Sequence, residues 1–174
     1  MMSGLFTIQV SGIKPGHHIF EFKISKEFFD LFEKSEINEG ELVAVAEIEK
    51  SSTHLDLYIK IAGKVRVCCD RCLEMFDHPI ECENRLLVKF GQKKDESDPE
   101  IITLPRDENE LDLKQYLYEF IYLALPIQRI HPDNADGIST CLPVMLQKMK
   151  EHLVEKENST DPRWNELKKL MNDN

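Results

Sequence analysis

Between Thr53 and Cys69 the chain alternates apolar and polar residues almost without a break. Leu55, Leu57, Ile59 and Ile61 fall on one face and His54, Asp56, Tyr58 and Lys60 on the other. Period two over that length excludes a helix and specifies a half-buried strand. Gly63 suggests a tight reversal, after which Val65, Val67 and Cys69 oppose Lys64, Arg66 and Cys68. From His78 to Phe90 the pattern returns, with Ile80, Cys82, Leu86, Val88 and Phe90 against Glu81, Glu83, Arg85 and Lys89. Leu42–Ile48, Phe6–Val10 and Ile19–Ile24 read as further strands. Short links between such segments favour antiparallel pairing, so the expected body is a sheet with one wet face, curled toward a barrel.

Helical spacing takes over elsewhere. Ser25 is placed to cap a short helix bearing Phe28, Phe29 and Phe32. Residues 95–110 are acidic and read as a mobile connection. Leu113, Leu117, Phe120, Ile121 and Ala124 then form a stripe over 111–125, which Pro126 stops. Met145, Met149 and Leu153 mark another helix, and Asp161-Pro162 starts a last one carrying Trp164, Leu167 and Met171. The expected class is α+β: a β-rich body over residues 1–130 that includes helix 111–125, and a helical C-terminal extension of the same domain over 131–174.

The chain's 174 residues carry 22 basic and 32 acidic side chains, a formal charge of −10. That excludes a simple basic DNA coat and favours protein partners. Residues 60–94 reverse the balance, with 8 basic residues against 5 acidic ones. Lys60, Lys64 and Arg66 share one strand face, Arg85 and Lys89 the polar face of the next, and Arg71 the link between them, so these six are the expected RNA-contacting residues. No run is long enough to span a membrane, and Met1-Met2-Ser3-Gly4 does not open a secretory signal. Five cysteines, two of them adjacent, make a poor disulfide framework and suggest a reducing, cytoplasmic setting.

Cys69-x-x-Cys72 offers two thiolates to a metal, but a structural zinc needs four ligands. The remaining candidates, Cys68, Cys82, Cys141, His78 and His131, are scattered along the chain. The expectation is therefore packed cysteines, no bound metal and no cofactor, with zinc or thiol chemistry at Cys69 and Cys72 as the alternative. Phosphate-binding glycine loops, nucleophile elbows and zinc-protease motifs are all missing, so no enzymatic reaction is expected.

The string Cys69-Asp70-Arg71-Cys72-Leu73-Glu74 resembles the C-x-R-C-L-E hallmark of the YceD family of bacteria and plastids. Leu111-Asp112-Leu113 opening a helix through Glu119 to Leu123-Ala124-Leu125-Pro126 is similar to a second family segment, and Asp161-Pro162-Arg163-Trp164 with Leu167 and Leu170 to a third. Many members carry a cysteine-rich, knuckle-like segment between the last two. Here 131–158 keeps only Cys141, so a four-cysteine site within that segment cannot form. The resemblance implies a non-enzymatic role in accumulation of 23S ribosomal RNA and large-subunit assembly, with precursor RNA or an early ribosomal protein as partner. An acidic protein–protein adaptor without RNA contact is the alternative.

Overall fold

The computed structural model describes residues 5–33, 35–91, 100–105 and 107–153. Among these, strands and helices follow in the order β1 (Thr7–Gln9), β2 (Gly16–Ile24), α1 (Lys26–Phe29), β3 (Glu39–Lys50), β4 (His54–Cys68), β5 (Met75–Phe90), β6 (Ile101–Leu104), β7 (Glu110–Asp112), α2 (Lys114–Leu123) and α3 (Pro143–His152). The main sheet runs β2-β3-β4-β5-β6, and β1 pairs with β7 in a separate two-stranded sheet. The pairs from β2 to β5 are antiparallel; the short links β3–β4 and β4–β5 require it, whereas β2 reaches β3 through a longer connection that carries α1. Among the described residues the sheet stays open: β2 and β6 are its edges, and no barrel closes.

The alternation of the sequence maps directly onto the two faces. Leu42, Ala44, Ala46 and Ile48 of β3, Leu55, Leu57, Ile59, Ile61, Val65 and Val67 of β4, and Ile80, Leu86 and Val88 of β5 are all buried. Each fully buried Leu, Ile or Val contributes roughly 1.5–3 kcal/mol relative to exposure. Helices α1 and α2 belong to the same core through Phe28, Phe29, Leu117 and Ile121. Aromatic rings knit it together: Phe6 meets Phe28 edge-on at 4.8 Å, and Phe32 stacks on Tyr118 at 3.9 Å.

Three expectations need correction. Gly63 does not reverse the chain; β4 runs straight through it, and odd-numbered residues stay on the buried face on both sides. A glycine is required there because β3 crowds the position: a Cβ would lie 2.2 Å from the Glu41 carbonyl, and φ is +149°. The 95–110 segment is not merely a connection, since it contains β6, which lies parallel to β5. The helix expected over 111–125 begins at Lys114, because Leu111 and Asp112 belong to β7. Asp112 instead accepts a hydrogen bond from the Lys114 amide at 2.9 Å, satisfying a free donor of the helix start. Of the C-terminal extension, α3 covers Met145 and Met149 but ends before Leu153, and none of its side chains is fully buried; the Asp161–Met171 segment lies outside the described residues.

Candidate metal centre and charged sheet face

Strand β4 ends at Cys68 and the chain turns through Cys69–Glu74 into β5. The Leu73 amide donates to the Cys69 carbonyl at 2.9 Å and the Cys69 amide to the Glu74 carbonyl at 2.8 Å, closing a tight knuckle. Leu73 sits at φ +61°, a left-handed conformation that costs a non-glycine residue roughly 1–2 kcal/mol. The knuckle is also tied to a distant part of the chain. The Asp70 amide donates to the Arg129 carbonyl, and the Arg129 amide returns a bond to the Asp70 carboxylate, both at 2.7 Å.

Beyond Arg129 the chain makes a small loop. The Asn134 side-chain oxygen accepts from the amides of Asp136 and Ile138, Gly137 takes φ +73°, and Asp133 bridges Ser139. That fold-back sets His131 and Cys141 side by side, and both face the knuckle. Sγ of Cys69 and Cys141 are 3.7 Å apart; Nδ1 of His131 is 3.4 Å from Cys72 Sγ and 3.7 Å from Cys141 Sγ. All four ligand atoms lie within 4.8 Å of one another. The three cysteines are buried, and the His131 ring rests on Phe76 at 4.5 Å between centroids. Arg71, expected to face RNA, instead reaches Ser139 in the loop, with Nη1 at 3.4 Å.

The second pair of ligands therefore exists, as His131 and Cys141. Nine intervening residues hid it from a reading that looked for a short second knuckle. Burial opposes ionisation of Cys69, but amides of Cys72, Arg71 and His131, together with the His131 ring, outweigh it and bring the thiol down to about 6. Burial pushes Cys141 the other way, and the Cys69 and Cys72 sulfurs add to that rise. Cys68 is exposed and outside the cluster. Cys82 packs against α2, its thiol 3.8 Å from the Phe120 carbonyl, and burial raises its pKa.

The outer face of the sheet does bring Lys60, Lys64, Arg66, Arg85 and Lys89 together, as the alternation implied. It also brings their opposites. Lys60 pairs with Glu83 at 3.6 Å, Lys64 with Asp77 at 3.0 Å and Glu41 at 3.8 Å, and Arg66 with Glu39 at 3.9 Å. Arg85 is held by Asp56 and lies 5.4 Å from the Tyr58 ring centroid. The hydrogen bond from Lys64 to Asp77 and the charge of that carboxylate, followed by Glu41, hold the ammonium above its ordinary range. Counted over β2 to β5, this face carries nine carboxylates (Glu21, Glu39, Glu41, Glu47, Glu49, Asp56, Asp77, Glu81, Glu83) and six cations (Lys23, Lys60, Lys64, Arg66, Arg85, Lys89). Exposed pairs of this kind add little stability, but they cancel the positive field that phosphates would meet.

Among the described residues no helix is long and apolar enough to cross a membrane. No curated protein and no solved structure matches the chain. The family model described as "Large ribosomal RNA subunit accumulation protein YceD" matches residues 57–171, about two thirds of the sequence, from within β4 through the knuckle and the His131–Cys141 loop. Strands β1 to β3 precede the matched region, yet β3 pairs along β4 from Lys50 to Glu39 and completes the same sheet. By that match, which spans the C-x-R-C-L-E knuckle and the Leu111-Asp112-Leu113 segment ahead of α2, the chain belongs to the YceD family.

Proposed function

We propose that the chain supports accumulation of 23S ribosomal RNA as a non-enzymatic, cytoplasmic factor in large-subunit biogenesis, and that it docks an early, basic ribosomal protein on the outer face of its sheet. Family membership supports the process. The charge balance of the face supports the kind of partner: Lys60, Lys64, Arg66 and Arg85 already have carboxylate partners, and acids outnumber bases. A phosphate arriving at those cations has to displace a carboxylate at each one, whereas a lysine- or arginine-rich protein surface meets Glu21, Glu49 and Glu81, and Glu47 beside His17 at 3.6 Å. Net charge adds long-range attraction to a basic protein and repulsion from RNA.

The test is a pull-down with the tagged chain from cells, with and without ribonuclease. The reading expects a large-subunit ribosomal protein to persist after digestion. A partner set that vanishes with the RNA returns the function to direct contact with precursor rRNA, through Lys60, Lys64, Arg66, Arg71, Arg85 and Lys89.

A further inference from the structure

We infer that Cys69, Cys72, Cys141 and Nδ1 of His131 bind one Zn²⁺ as a closed, four-coordinate structural centre. The donor set comes first: three thiols and one imidazole are the soft-to-borderline ligands that select zinc over magnesium or calcium. Their spacing comes second. A tetrahedron with Zn–S of about 2.3 Å and Zn–N of about 2.0–2.1 Å has edges of about 3.8 Å between sulfurs and about 3.6 Å between sulfur and nitrogen. The Sγ–Sγ distance of 3.7 Å for Cys69 and Cys141, and the Nδ1–Sγ distances of 3.4 and 3.7 Å for Cys72 and Cys141, fall on those edges. Hydrophobic packing alone gives no reason for four ligand atoms on separate segments to converge in this way.

The fold also prepares the site without help from the metal. Asp70 and Arg129 join the two segments, one bond running from the Asp70 amide to the Arg129 carbonyl and one from the Arg129 amide to the Asp70 carboxylate, and Arg71 reaches the loop at Ser139. The four donors fill a tetrahedron and leave no open position for substrate, so the centre is structural, not catalytic. Its mechanical effect is to fasten the 129–141 loop to the end of the β4–β5 hairpin. The buried cluster that includes Cys69, Cys72 and Cys141 also takes in apolar side chains of β2, β3, β4, β5 and β6, whose packing needs no metal.

The experiment uses the full chain, purified under reducing conditions. Metal analysis is expected to give one zinc per chain, and Co²⁺ in its place to give the intense visible and near-ultraviolet bands of tetrahedral cobalt thiolate. Hydrogen exchange after chelation should rise in 69–74 and 129–141 while β3, β4 and β5 keep their protection. Cys141→Ser and His131→Ala should lose the metal; His131→Cys, which restores a fourth ligand, and Cys82→Ser, which lies outside the cluster, should retain it. Should the first two variants fail to fold, the Co²⁺ titration of the unaltered chain decides by itself. A reduced protein that takes up neither Zn²⁺ nor Co²⁺ overturns the inference. So does loss of metal from Cys82→Ser equal to that from Cys141→Ser, or a Cys69–Cys141 disulfide that reductant and zinc do not replace.

Discussion

At the scale of the residue, Gly63 and the knuckle cysteines carry opposite lessons. Gly63 is irreplaceable because β3 lies against its Cα and φ is +149°. Gly63→Ala is expected to lower stability by about 1–3 kcal/mol from backbone strain alone, with the contact on the Glu41 carbonyl adding to it. Gly12, where a Cβ would meet nothing within 4 Å, serves as the control. Urea titrations that move for Gly63→Ala and not for Gly12→Ala bear this out; an unmoved Gly63→Ala midpoint contradicts it. That β4 continues through this glycine was legible in the sequence: Leu55 to Ile61 and Val65 to Val67 are all odd-numbered, and a change of strand had no need to preserve that parity. The full cluster was not legible. Cys69 and Cys72 stand three apart in one turn, but His131 and Cys141 reach them only through the Asn134–Gly137 fold-back and the Asp70–Arg129 clamp. These are tertiary facts with no local signature beyond a glycine and an asparagine.

At the scale of the element, strands and helices are legible where one periodicity runs unbroken, and obscure where an element is short. Strands β3, β4 and β5 lie where the alternation puts them, and α2 keeps the stripe of Leu117 and Ile121. Strand β6 has four residues, Ile-Ile-Thr-Leu, in an acidic surrounding that masks it. Its parallel partnership with β5 depends on the chain's return path, which no local pattern encodes. Helix α2 matters to the sheet because its two buried side chains are fully covered. Leu117→Ala is expected to destabilise the protein by about 2–5 kcal/mol, the cost of lost transfer energy and an unfilled cavity. Thermal unfolding should show a clear fall for Leu117→Ala and little change for Leu123→Ala, whose side chain is 80% exposed. Equal falls for both would mean that α2 does not use this face.

At the scale of the whole molecule, a charge of −10 and a local run of lysines and arginines point to different partners. The register shows what that run meets on the folded face. Antiparallel pairing sets Glu39 and Asp77 opposite Arg66, Glu41 opposite Lys64, and Glu83 opposite Lys60, so the run is neutralised by its neighbours on β3 and β5. A count along the chain could not show this, because the compensating acids lie up to 29 residues away, as in the Asp56–Arg85 pair. On the function proposed above, this face serves large-subunit RNA accumulation through a basic protein partner. The most direct measurement is the ratio of large- to small-subunit ribosomal RNA in cells depleted of the chain and complemented with folded variants. Lys64→Glu with Arg66→Glu is expected to restore the ratio, while Glu47→Lys with Glu49→Lys leaves it low. Rescue by the second pair and failure of the first would contradict the account and make the cations the working residues.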